Sequence, residues 1–212
     1  MDLSKILIGD GLLILLAFLL FILFGKKISK EFFLGNLNSL HSKDENYGKS
    51  PSLDELLTLE ILAKKSGSGI ELDSIIGSWK FSAVWKKQTD KEDSLSSSLL
   101  RLFSARLDLQ KIELSEGFPS LSIVNSIEFG SLSIRFRGSG GLRGDQPLLP
   151  FFFESIELNL GSVPLLKRSL EVPEKKDMPF FALIAKAENG EWLSARGRGG
   201  GIALWFKEKN KN

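Results

Sequence analysis

The chain has 212 residues, no cysteine and a single histidine, and carries a formal net charge of +2 with a pI of about 8.7. So mild a charge does not suggest a nucleic-acid binder, and the absence of cysteine leaves no disulfide framework. With only His41 available, a zinc site lacks its usual ligands and a serine triad lacks an oriented base.

Ile6 to Phe24 reads ILIGDGLLILLAFLLFILF, with Asp10 its only charge. At about 1.5 Å per residue this stretch is just long enough to cross a bilayer core of about 30 Å. A cleaved signal peptide would need small residues after the apolar core, where Phe24-Gly25-Lys26-Lys27 stands instead. A buried soluble helix is the other alternative, but the segment has no polar face at helical spacing. The reading is a transmembrane helix in a membrane anchor over 1–30. Asp10 sits near one end, where its carboxylate reaches the interface. Lys26, Lys27 and Lys30 follow the segment and only Lys5 precedes it. The richer basic flank places the remainder in the cytoplasm, or in a plastid stroma.

Residues 31–50 read as a juxtamembrane linker. Phe32, Phe33 and Leu34 fit either the headgroup region beside the lysines or a short turn packed on the domain. Order resumes at Pro51. Ser52 with Glu55 matches a capping box, and Leu53, Leu56, Leu57 and Ile61 then recur at helical spacing up to Gly67. A second short helix is predicted over 70–76, and both helices are expected to pack on a sheet.

From Gly77 the apolar period falls to two. Phe81, Ala83 and Trp85 share one parity, as do Leu121, Ile123, Ile127 and Phe129, then Leu132, Ile134 and Phe136, and then Ile156, Leu158 and Leu160. Ile202, Leu204 and Phe206 close the series. One-sided alternation marks antiparallel sheet with one apolar face. Gly130-Ser131 and Asn189-Gly190 read as hairpin turns. Strands are predicted near 79–86, 101–113, 120–129, 131–137, 149–160, 180–187, 191–197 and 201–207. The expected fold of 51–209 is mainly β, an antiparallel barrel of about eight strands. A barrel that size is filled by side chains or holds one small ligand. Lys86–Ser98 and Val172–Pro179 read as solvated loops, with gating of a barrel mouth as the sharper alternative.

Three stretches then resemble a known family. Gly77-Ser78-Trp79-Lys80 is similar to the G-x-W opening of lipocalin-type barrels and to the G-[ST]-W-[RK] opening of the plastid-lipid-associated protein, or fibrillin, family. Val124 to Gly130 resembles that family's N-x-[IV] strand, and Arg196 to Trp205 resembles its RG-x-GG strand ending. The matches fall in family order and cover residues 53–207. The N-terminal spanning segment and the GRGGG run depart from the better-known plastid members. The resemblance implies a lipocalin-like fold and a prenylquinone, carotenoid or membrane lipid as ligand, in a thylakoid or plasma membrane.

Gly77, Trp79, Arg196 and Arg198 are assigned to barrel closure, with one of the arginines stacked on the Trp79 indole. Phe81, Trp85, Ile123, Asn125, Ile127, Phe136 and Phe153 are the candidate interior contacts of a ligand. Asn125 lies on the apolar parity of its strand, so its amide is either a structural hydrogen-bonder or a polar anchor. Arg135 and Arg137 share a polar face, either simply solvated or in contact with lipid headgroups. Gly138–Gly141 lacks the context of a phosphate loop, and Gly197–Gly201 reads as a tight turn or bulge rather than an RNA-binding segment. No G-x-S-x-G elbow or interior acid–base pair is present. The functional expectation is a membrane-anchored, non-catalytic carrier of a hydrophobic small molecule or lipid, without a cofactor or nucleic-acid partner. The alternatives are an assembly factor whose outer face recruits a membrane-complex subunit, and an enzyme acting on a lipid or quinone.

Overall fold

The computed structural model describes residues 50–87, 92–93, 104–112, 118–144 and 147–208. The predicted anchor and most of the linker lie outside the described residues. No helix among the described residues is long and apolar enough to cross a membrane.

Helix α1 (Leu53–Ser66) begins as its capping box dictates: Ser52 Oγ accepts from the Glu55 amide at 3.2 Å, and the Glu55 carboxylate accepts from the Ser52 amide at 2.7 Å. It ends at Gly67, whose amide donates to the Ala63 carbonyl. The buried face carries Leu56, Glu60 and Ala63, whereas Ile61, predicted to face the sheet, is 67% exposed. The second predicted helix is a single 3-10 turn, Leu72–Ile75.

Nine antiparallel strands follow among the described residues: β1 (Gly77–Trp85), β2 (Arg106–Lys111), β3 (Leu121–Phe129), β4 (Leu132–Gly140), β5 (Leu148–Leu160), β6 (Val163–Ser169), β7 (Phe180–Lys186), β8 (Trp192–Gly197) and β9 (Ile202–Lys207). β1 pairs with both β2 and β9, and β4 pairs with β5, so the sheet closes into a ring. Eight strands form that ring. The ninth, β6, was not predicted; it pairs only with the far half of β5 and every residue of it is exposed.

The ring interior holds one apolar cluster that includes Trp79, Phe81, Leu107, Ile123, Phe136, Phe151, Leu193 and Trp205. A second cluster lies outside the ring, where α1 presents Leu56 to Ala83, Trp85, Ile184, Leu204 and Phe206. A bulge explains the division. The β1–β9 register shifts between Phe81 and Ala83, so the parity that points inward before it points outward after it. The apolar series Ile202, Leu204 and Phe206 thus faces the helix, and Ala203 and Trp205 face the interior.

Ring closure between β4 and β5 depends on glycine. An ideal Cβ on Gly138 would stand 1.9 Å from the Phe152 carbonyl oxygen and 2.7 Å from Phe153 Cα. The Gly138–Gly141 run is therefore the place where two backbones meet, beside a register shift between Arg137 and Gly138. Replacing Gly138 by Ala is expected to destabilise the fold by about 3 kcal/mol or more, because backbone must move to admit the methyl group. Urea unfolding followed by tryptophan fluorescence checks this, and an unchanged midpoint would contradict it.

Candidate functional site

The ring is narrow at the end where β1 begins and opens at the other. β5 explains the asymmetry. Its first residues, Leu148–Pro150, pair with β7, and residues 155–160 on the same edge pair with β6. Beyond Pro150, β5 therefore parts from β7. A cavity of about 110 Å³ lies at this open end. Its walls include Phe81 from β1, Leu107 from β2, Ile123 and Asn125 from β3, Phe151 and Phe153 from β5, Phe181 from β7, and Ala203 and Trp205 from β9. The aromatic walls brace one another. Phe151 stacks on Phe181 with centroids 5.0 Å apart, and Trp205 meets both Phe81 and Phe181 edge-on.

Asn125 supplies the polar group of this lining that comes from the interior face. Asn125 is half-buried and its amide is not a buried unpaired group, so its donor and acceptor stand open to water or to a ligand beside the aromatic walls. Arg106 also borders the cavity; its guanidinium is paired by charge with Glu208 at 3.2 Å and Glu128 at 3.8 Å, while its buried Nε–H has no hydrogen-bond partner among the described residues.

The lip of the mouth is the β8–β9 turn, held by two arginines. Arg198 donates to the carbonyls of Met178 (3.2 Å) and Lys176 (3.0 Å), fastening the turn to the β6–β7 connection. Arg196 points outward and forks onto Glu60 of α1, with Nε 2.6 Å from Oε1, and also donates to the Gly200 carbonyl. Gly200 has φ +94°, which lets the turn bring that carbonyl round. One guanidinium thus ties helix, strand and turn together.

These contacts reassign the predicted residues. Phe81, Ile123, Asn125 and Phe153 meet at the cavity. Ile127 and Phe136 belong to the interior cluster without lining the cavity. Trp85 lies on the outer face under α1, turned there by the β1 bulge. Trp79 is fully buried, and its indole N–H donates to the Ile75 carbonyl at 2.8 Å. The cation over its ring is Lys207, 5.3 Å from the centroid, and not Arg196 or Arg198. Gly77 sits where a Cβ would press on Lys207 Cε at 3.0 Å. Phe181, Leu107 and Ala203 were not among the predicted contacts. β7 reads FFALIAK, an unbroken apolar run whose inward parity no alternation reveals.

No family model matches the chain, and no curated protein matches it.

The Glu60 carboxylate is 6% exposed as a residue. Hydrogen bonds from Arg196 hold its pKa below the ordinary carboxylate value of 4.5, opposed by burial and helped by Lys64. A depressed folded-state pKa contributes stability that is complete above the unfolded value and lost as pH falls through the folded one. Glu60→Gln is therefore expected to lower the unfolding midpoint at neutral pH. The gap between variant and parent should narrow as pH falls below 4.5. Urea titrations at a series of pH values check this; a gap independent of pH would contradict it.

Proposed function

We propose that the protein is a non-catalytic binding module that takes one end of a hydrophobic small molecule into the open end of its barrel. The observation that carries this reading is the half-buried Asn125 amide at the wall of an aromatic cavity. Water can pair with this half-buried amide, and a ligand that displaces that water must replace the pairing. A carbonyl-bearing ring offers that pairing and fills the apolar walls at once. A cavity of about 150 Å³ takes one benzene ring. The 110 Å³ here suits the end of a ring or chain, and falls far short of a whole lipid or carotenoid. Burying roughly 100 Å² of ring contributes about 2.5 kcal/mol, so further affinity must come from parts of the ligand outside the cavity.

The closed antiparallel ring and its aromatic interior support a lipocalin-like barrel. The three motif resemblances suggest a distant relation to the fibrillin family, and with it a prenylquinone, carotenoid or membrane lipid as ligand; the small cavity favours the ring of a prenylquinone among these. The Ile6–Phe24 segment supports residence at a membrane, with the barrel on the cytoplasmic or stromal side. An assembly factor is the second reading. It is favoured by the side chains, Trp79 and Phe136 among them, that fill most of the interior.

Native mass spectrometry of the full-length chain in detergent, mixed with a short-chain benzoquinone and with a total lipid and pigment extract, tests the proposal. A saturable adduct is expected. Asn125→Leu should weaken it by about five- to tenfold, the loss of one hydrogen bond. Phe153→Trp should weaken it by occupying the cavity. A folded protein that stays free of adduct throughout would favour the assembly factor.

A further inference from the structure

Cross-strand registers carry the interior face of the barrel out onto β6. One row runs Ile127–Ile134–Leu158–Leu166, and the next outward runs Phe129–Leu132–Leu160–Val163. Residues paired across a sheet share a face, so both rows belong to the same apolar surface. Its cover fades along each row. Ile127 and Ile134 are buried and Leu158 is half-buried, whereas Leu166 is 50%, Leu160 50% and Val163 57% exposed. These three residues continue the core into solvent.

We propose that the β5–β6 hairpin is a membrane-contact element that sets the mouth of the barrel against the bilayer. Three features select a lipid surface as occupant. The exposed residues sit at a hairpin tip, Leu160-Gly161-Ser162-Val163, beyond the closed ring. Exposed basic residues follow them in the chain: Lys167 and Lys176 are paired with Glu157 (3.1 Å) and Glu174 (2.8 Å), which leaves Arg168 on β6 and Lys175 in the connection that follows for contact with anionic headgroups. The chain that leads into α1 carries the apolar Ile6–Phe24 segment, which would keep the barrel near a bilayer. The proposal rests on the binding reading above and extends it. The cavity lies at the same end as the hairpin, so a ligand can leave its tail in the bilayer while its ring enters the barrel.

The chain has no cysteine, which makes single-site labelling direct. Val163→Cys, Leu166→Cys and Glu188→Cys, the last in the β7–β8 turn at the opposite end of the ring, are spin-labelled in the full-length protein. The protein is placed in vesicles of phosphatidylcholine with a minority of phosphatidylglycerol. Accessibility to oxygen relative to a water-soluble nickel chelate is expected to be several-fold higher at residues 163 and 166 than at 188. It should fall when phosphatidylglycerol is omitted. Equal, water-like ratios at all three positions would overturn the proposal, as would spin–spin broadening at 163 that marks a second copy on the hairpin. Quinone binding is measured on the same samples. Water-like labels with binding intact reject the hairpin proposal alone, and lipid-buried labels without binding reject the cavity reading alone.

Discussion

Strand β5 is shared along one edge, and the open end of the barrel follows from that constraint. A strand can satisfy only one ladder of hydrogen bonds on each side. β5 gives its first residues to β7 and its last to β6, so the ring is tight at one end and parted at the other. The cavity occupies the space behind the parting, and the surplus of sheet becomes the exposed hairpin. On its other edge β5 approaches β4 so closely that Gly138 has no room for a side chain.

The outer face is organised by a different device. The bulge in β1 divides a single apolar series between two clusters, one inside the ring and one beneath α1. The helix needs that outer patch to bury Leu56; it packs on β7, and the Glu60–Arg196 fork ties it to β8. A fork with little exposure is specific in geometry, since a misplaced partner would leave a charge without its mate. The same guanidinium holds the Gly200 carbonyl, so helix packing and the lip of the mouth are coupled through one side chain.

Much of this was legible in the sequence. The capping box at Ser52, the turns at Gly130 and Gly190, and the alternation in β3 and β4 each follow from local chemistry. Asn125 was legible as an amide on an apolar parity. What escaped was set by pairing partners distant in the chain. Trp85 reads as continuous with Phe81 until the bulge opposite β9 separates them, and a one-residue slip exchanges the two faces of a strand. Trp79 reads as a partner for a C-terminal arginine, yet Arg196 is drawn to Glu60, 136 residues away. β6 reads VPLLKRS, with a proline and no alternation, and only its pairing with β5 identifies it as a strand.

In the proposed function, the Asn125 amide and the surrounding aromatic walls receive a ring. The most direct test is nuclear magnetic resonance of the Asn125 side-chain amide, assigned by its loss in Asn125→Leu, during titration of the folded protein with a short-chain benzoquinone. A saturable shift of that amide is expected together with the methyl groups of Leu107 and Ile123, and none at Leu56 under the helix. Amide and methyl resonances unmoved at saturating quinone, or shifts confined to exposed residues, would contradict it.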